Sequence, residues 1–528
     1  MQQNPFLYHT LIIANLVFVV HLNVTAQDLL SAKSSTYQKI EKVYKKLQQA
    51  TGDFRRDLPK LVVIERVARV ASYRSSDNTL IIEKKAFEVC ESMGRDSESA
   101  LAFLLGHELT HFYQQHDWGE LGFGSTFLMD KNIFTKHIHH ETEADTYGAF
   151  IAYLAGYNTL EIIPTFLDKL YTSYKLGPNM ADYPSLKERK IVASKVEKQV
   201  ADLIEVYENA NYYTALGWHI QAIYCYEHLL KFLKTKELYN NMAVSLLAIV
   251  VQQQRADSYW YPIEVDLDIA LRAWATKTEA ELLIAATKYL ENALAFDEAY
   301  FEAHLNLAIV DDLQNNYDKA QERLVLAEKQ AKSVVQKANV AIMQGVIFAR
   351  RNEMKAAELS FDKAYKYTIS VGVRLLVLHN KQVLNEGRSP LITASMIRME
   401  DMLDGVPLLE SIPIHFQQSI VFSEGFLGLA KIHFNTYPNS KLACLETKSP
   451  FDSQQTYFAL QRTRSLATKK GIKKGSTVSN LQVSYNKIQN PKIVYYRNGY
   501  FLIYRSLGLI FKINNQELVE EWALFLSY

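Results

Sequence analysis

The sequence predicts a mostly helical α+β chain in three folded parts behind an apolar leader, and three observations predict it. The pentapeptide His107-Glu108-Leu109-Thr110-His111 lies inside an apolar run from Ala100 to Phe112. From about residue 200, helical hairpins recur at a period near the roughly 34 residues of known helix–turn–helix repeats. From about Ser389 the pattern changes to strand-like segments, ending in Tyr500–Tyr504 and Leu509–Ile513. A length of 528 residues calls for more than one domain, and an apolar fraction of 48% supplies their cores. A formal net charge of +1 gives no sign of a nucleic-acid partner. Cys90, Cys225 and Cys444 are too widely spaced for a C-x-x-C metal site or a disulfide framework, and read as buried free thiols.

The leader is the apolar stretch Leu11–Val20, followed by small residues up to Ala26 and Gln27. It reads as a secretory signal peptide over residues 1–26, although no Lys or Arg precedes its core. His21 and Asn23 leave the run short for a membrane span, and no cysteine marks a lipoprotein cleavage site. The expected location is the periplasm or the exterior.

The first folded part is expected over residues 27–200. Residues 28–52 read as a helix with Tyr37, Ile40, Val43, Tyr44 and Leu47 on one stripe, stopped by Gly52. Leu61–Ile64, Ala68–Tyr73 and Thr79–Ile82 read as strands, with a turn at Asp77-Asn78. A helix over Lys84–Ser92 follows, then the motif helix, capped by Asp96 or Ser97. On that helix His107 and His111, at i and i+4, share a face and can bind one metal ion, with Glu108 placed to act on a water beside it. A helix apolar nearly all round is buried, and burying two histidines and a glutamate without partners is expensive. A metal satisfies all three.

A catalytic zinc ion (Zn2+) takes three protein ligands and keeps an open position. The best third ligand is in Glu141-Thr142-Glu143-Ala144-Asp145. Glu141 is the expected ligand, and Asp145, one turn on, the expected acceptor for a ligand histidine's N–H. The same residues would also suit an ordinary acidic first turn of a helix. Between the two helices, Asp117–His140 reads as a glycine- and aromatic-rich lid or specificity loop. His137, His139 and His140 there are solvated histidines or an extra ligand. Gly156 ends the second helix.

H-E-L-T-H followed by E-T-E-A-D resembles the gluzincin-type zinc metallopeptidase family that includes the CAAX prenyl endopeptidases and the bacterial heat-shock and periplasmic quality-control proteases. The resemblance covers roughly residues 55–195. It implies that Glu141 is the third zinc ligand and that Asp145 is the aspartate of the family's E-x-x-A-D motif. Asp182–Arg189 resembles the family's H-P-S-x-x-x-R segment, with Tyr183 where histidine is usual. The family also implies an edge strand that binds substrate by β-addition, for which Ala68–Ile82 is the candidate. With no further transmembrane stretch, the chain resembles the exported, soluble branch.

The second part, residues 201–385, carries the spacing Ala286, Leu290, Ala293 again at Ala320, Leu324, Ala327 and at Ala357, Phe361, Ala364, with Ala222, Tyr226 and Leu229 upstream. Leu307-Ala308 and Gln344-Gly345 mark the first helices of the hairpins. This resembles the tetratricopeptide repeat, which implies an α-solenoid with a concave face for a peptide or partner protein, or else a structural arm. Residues 251–280 interrupt the period. The third part, residues 386–528, reads as a small C-terminal α/β module with strands at Lys431–Phe434 and Ile493–Tyr496, a short helix from Gly475-Ser476 to Tyr485, and a hairpin across Leu507-Gly508. Its basic run from Arg462 and Arg464 to Lys474 reads as a solvated loop.

The expected function is an exported zinc endopeptidase. His107, His111 and Glu141 hold the metal, Glu108 is the general base, and the repeats recruit a protein or peptide substrate, with peripheral contact to a membrane left open. The alternative is a repeat adaptor or chaperone with a latent or structural zinc site.

Overall fold

The computed structural model describes residues 28–51, 57–65, 67, 70–114, 131–175, 186–254, 278–367, 371–386, 417–425, 428–448, 455–486, 491–496 and 499–527. The leader, Tyr183 and the core of the period-breaking stretch at 255–277 lie outside them. The chain divides into two units where the sequence suggested three folded parts. Residues 1–45, 58–148 and 157–193 form one unit, and 46–57, 149–156 and 194–528 the other. Repeats and C-terminal sheet therefore share a unit, and the buried ion pairs described below explain why.

In the first unit α1 (Ser35–Thr51) buries Ile40, Val43, Tyr44 and Leu47, the stripe its periodicity marks. Three short strands follow: β1 (Lys60–Ile64), β2 (Ala71–Arg74) and β3 (Thr79–Glu83). Their order is β1-β3-β2, with β1 parallel and β2 antiparallel to β3, so among the described residues β2 is an end strand. β2 starts at Ala71, later than the Ala68 read from the sequence, and a 3-10 turn over Ser75–Asp77 leads into β3. The helices are α2 (Lys84–Glu91), α3 (Ser97–Tyr113), α4 (Lys131–Leu154) and α5 (Ile163–Tyr174). Asp96 does occupy the N-cap of α3, but its side chain makes no capping hydrogen bond. α4 corrects the sequence reading: His137, His139 and His140 are helical, and Glu141 stands mid-helix instead of in an acidic first turn. The apolar spacing Ile133, Phe134, Ile138 already carried that helix upstream.

α6 (Leu186–Leu216) runs from the first unit into the second. There follow α7 (His219–Leu229), α8 (Lys236–Gln254), α9 (Glu279–Phe296), α10 (Phe301–Leu313), α11 (Tyr317–Gln330), α12 (Val334–Arg350), α13 (Met354–Tyr367) and α14 (Val371–Glu386). Helix pairs α8/α9, α10/α11 and α12/α13 pack as hairpins, a helical-repeat solenoid. Capping boxes at Thr278/Glu281 and Ser333/Gln336 fix where α9 and α12 begin. Ala286, Leu290 and Ala293, and their counterparts on α11 and α13, are fully buried. Gly345 on α12 lets the Phe361 ring of α13 come this close: a Cβ there would stand 2.5 Å from that ring.

The C-terminal region holds more strands than were read from the sequence, and among the described residues they are all antiparallel. β4 (Gln418–Gly425), β5 (Gly428–Thr436), β6 (Lys441–Lys448), β7 (Gln455–Thr463), β8 (Lys492–Tyr496), β9 (Gly499–Tyr504), β10 (Leu509–Asn514) and β11 (Val519–Ser527) form one eight-stranded sheet. Its order is β4-β5-β6-β7-β11-β10-β9-β8. α15 (Val478–Tyr485) packs Val478, Leu481 and Tyr485 against Leu502, Phe511 and Trp522. Arg462 is not part of a solvated basic loop, since it lies on β7 with its side chain 6% exposed. There it pairs with Glu205 and Glu208 of α6 and with Glu521 of β11. Cys90, Cys225 and Cys444 are free and buried. No described helix is long and apolar enough to cross a membrane.

Candidate metal centre

α3 has little polar face, because nearly every residue from Ala100 to Thr110 is buried. His107 and Glu108 are therefore fully enclosed. α4 crosses α3 closely enough to deliver its own side chains, and two glycines permit the crossing. A Cβ on Gly106 would lie 2.5 Å from the Gly148 carbonyl oxygen, and one on Gly148 would lie 2.4 Å from the His107 backbone nitrogen. Nothing larger than glycine fits there without moving a helix.

This crossing brings together His107, His111 and Glu141, whose ligand atoms all lie within 4.8 Å of one another. The two Nε2 atoms are 3.2 Å apart. His107 Nε2 to Glu141 Oε2 and His111 Nε2 to Glu141 Oε1 are each 3.5 Å. Three ligands bound tetrahedrally at zinc's usual ~2.0–2.1 Å would stand about 3.4 Å apart, so the donor set fits one zinc-sized ion. The two ring nitrogens can share at most one proton between them, whereas a cation satisfies both lone pairs and the carboxylate.

Asp145 accepts from His107 Nδ1 at 2.8 Å. That bond puts the ring proton on Nδ1 and turns the Nε2 lone pair toward the cluster. Burial acts to lower the His107 pKa, but the Asp145 hydrogen bond and the Glu141 charge outweigh it and raise the pKa overall. A field that favours a proton at this place favours a metal cation too.

Glu108 points to the same region from the next position on α3. Burial pushes its carboxyl up to about 7, with the neighbouring Glu141 adding to the effect and His107 opposing it. Its Oε2 accepts the Tyr73 backbone N–H of β2 at 2.8 Å, while Oε1 is buried with no hydrogen-bond partner. An orphaned carboxylate oxygen beside a three-donor cluster suits a base that waits for a water.

All five residues singled out from the sequence, His107, Glu108, His111, Glu141 and Asp145, meet here. Sequence reasoning missed the Gly106/Gly148 crossing and the Tyr73 amide. The glycines had a signal, since each interrupts an otherwise apolar helical run. The amide had none, because a backbone group leaves no trace in residue identity. The side chains of His137 and His139, and Tyr183, fall outside the described residues, so their part in the site is not defined.

Fold and site together define a class: a helical-repeat chain with an Asp-supported His-His-Glu donor cluster on two crossing helices. No protein-family model matches the chain, and no curated protein does. The resemblance to zinc peptidases therefore rests on the motif residues themselves. Among solved structures, the chain is similar to one described as YrrB, a tetratricopeptide-repeat protein with an unusual peptide-binding site. The match has 18% identity and a TM-score of 0.25, covering 47% of this chain and 97% of that one. At that score it carries no weight beyond its own description.

Proposed function

We propose that the chain is a zinc-dependent endopeptidase acting on protein or peptide substrates. The convergence of His107, His111 and Glu141 carries this reading. Zinc bound there would supply an acidified water and polarise the scissile carbonyl. Glu108 takes the water's proton and delivers it to the leaving amine, a role that its raised pKa suits. Asp145 holds His107 in the ligating tautomer. The end strand β2 offers its backbone to an extended peptide, and the repeats hold the remainder of the substrate. The leader read in the sequence makes export the working location.

Glu108→Gln is the direct test. The variant should bind one zinc per chain like the wild type and lose casein cleavage by at least about a hundredfold. Normal cleavage would remove Glu108 as the base, and metal analysis without zinc in either protein would remove the peptidase reading.

The stacked hairpins α8/α9, α10/α11 and α12/α13 favour a second reading, a repeat adaptor whose metal site is structural or latent. Zinc-loaded protein that cleaves no unfolded substrate, yet binds an unfolded chain equally well with and without metal, would decide for it.

A further inference from the structure

Among the described residues β2 ends its sheet, and Tyr73 on it pairs with Leu80 of β3. The Tyr73 N–H nonetheless goes to Glu108 and not to β3. In an antiparallel strand a residue's N–H and C=O point the same way. Tyr73 therefore turns both groups to the outer edge of β2, the side on which a further strand would add. Its ring is fastened as well, edge-on to Phe112 with centroids 5.7 Å apart, one residue beyond His111. β2 is thus tied to α3 at two points, one of them the carboxylate of the residue read above as the base.

One N–H makes one good hydrogen bond. A peptide that adds to the β2 edge brings a backbone carbonyl to the Tyr73 amide and competes with Glu108 for it. We propose that Tyr73 is a positioning residue whose amide holds Glu108 at rest and passes to an extended substrate strand, releasing the carboxylate toward the scissile bond. This deepens the peptidase reading and rests on it. It also defines the substrate class: extended, unfolded segments that can present a backbone carbonyl at this register, with little demand on side-chain identity.

The test has two arms on the full zinc-loaded chain. Hydrogen exchange at the Tyr73 amide, read by mass spectrometry, should be at least about tenfold faster in Glu108→Ala than in wild type. Steady-state cleavage of an internally quenched unfolded peptide is then compared in Tyr73→Pro, which removes the amide at an edge position where proline is tolerated. KM should rise about tenfold with zinc content unchanged, and Tyr73→Phe, which restores the amide, should bring KM back. Should Tyr73→Pro fail to fold, the exchange arm decides by itself. Equal exchange in wild type and Glu108→Ala overturns the proposal, as does an unchanged KM in a folded Tyr73→Pro. Active enzyme with an unresponsive amide sinks the handover alone. Inactive zinc-loaded wild type sinks the peptidase reading and the handover with it, leaving the Tyr73–Glu108 bond as a structural contact.

Discussion

Each unit buries a cluster of carboxylates, and the two clusters are finished in opposite ways. In the second unit Glu205, Glu208 and Glu521 face Arg462, Lys441, Lys512 and Arg464. Tyr212 donates to Glu521 Oε1 and Tyr153 to Glu208 Oε1. Burial acts to raise the carboxyls of Glu205 and Glu208, but the cations outweigh it and hold both below the usual range. In the first unit Glu108, Glu141 and Asp145 gather around two histidines. There burial prevails, and Glu108 is pushed up to about 7. A charge set that its own side chains close reads as architecture. Donors spaced for a single ion read as a candidate site.

The comparison is broken most forcefully by opening the closed cluster. Arg462→Met leaves Glu205 and Glu208 buried with their central cation gone, which should cost about 3–5 kcal/mol in urea unfolding. The pH dependence carries a sign. Carboxyls held low in the fold contribute stability above their ordinary pKa of 4.5 and lose it as pH falls below that value. The gap between wild type and Arg462→Met should therefore be widest near neutrality and narrow in acid. A gap that widened in acid would show that the arginine does not hold these carboxylates ionised. Next in size is Gly148→Ala, which drives a Cβ into the His107 backbone. It should cost roughly 1–3 kcal/mol and separate Glu141 from the histidines, seen as lost zinc stoichiometry. Retained zinc binding would mean that the crossing has slack the contact distances do not show. Asp145→Asn is milder: the helices stay and only the acceptor for His107 Nδ1 weakens, so zinc affinity measured by chelator competition should fall about 10–100-fold.

The same contrast shows what a sequence can carry. His107, His111, Glu141 and Asp145 were legible because helical geometry turns spacing into adjacency, and i, i+4 pairs need no knowledge of the remaining fold. The repeat alanines were legible for the same reason: Ala320 and Ala357 each follow by twelve residues the small residue of their partner helix, Ala308 and Gly345. Arg462 was read wrongly. Its sequence neighbours form a basic run, and its partners Glu205 and Glu208 are brought to it only by packing of α6 on the sheet, a contact between residues 257 apart in the chain in the case of Glu205. The sheet was under-read because β6 and β7 place polar residues such as Glu446, Gln461 and Arg462 among buried positions, which blurs the alternation that marks a strand. The sheet completes its charge balance with α6, which is why repeats and sheet share a unit.

The smallest effect concerns a half-buried histidine whose charged neighbour, Lys231, is of like sign, and it separates burial from pairing. His228 on α7 stacks on Phe422 of β4, with ring centroids 4.7 Å apart and planes at 28°. Burial, and then the nearby Lys231, lower its pKa to about 4. In the unfolded chain it takes up a proton near 6.5, while in the fold it stays neutral down to about 4. The unfolded state therefore binds more protons across that window, and stability contributed by the neutral ring falls as pH drops from 6.5 toward 4. His228→Phe keeps a stacking ring and removes the proton. Thermal unfolding should show it gaining about 1 kcal/mol on the wild type near pH 4.5 and nothing above pH 7. A gain independent of pH would mean that the phenyl ring simply packs better, and that the histidine's burial is not what opposes its charge.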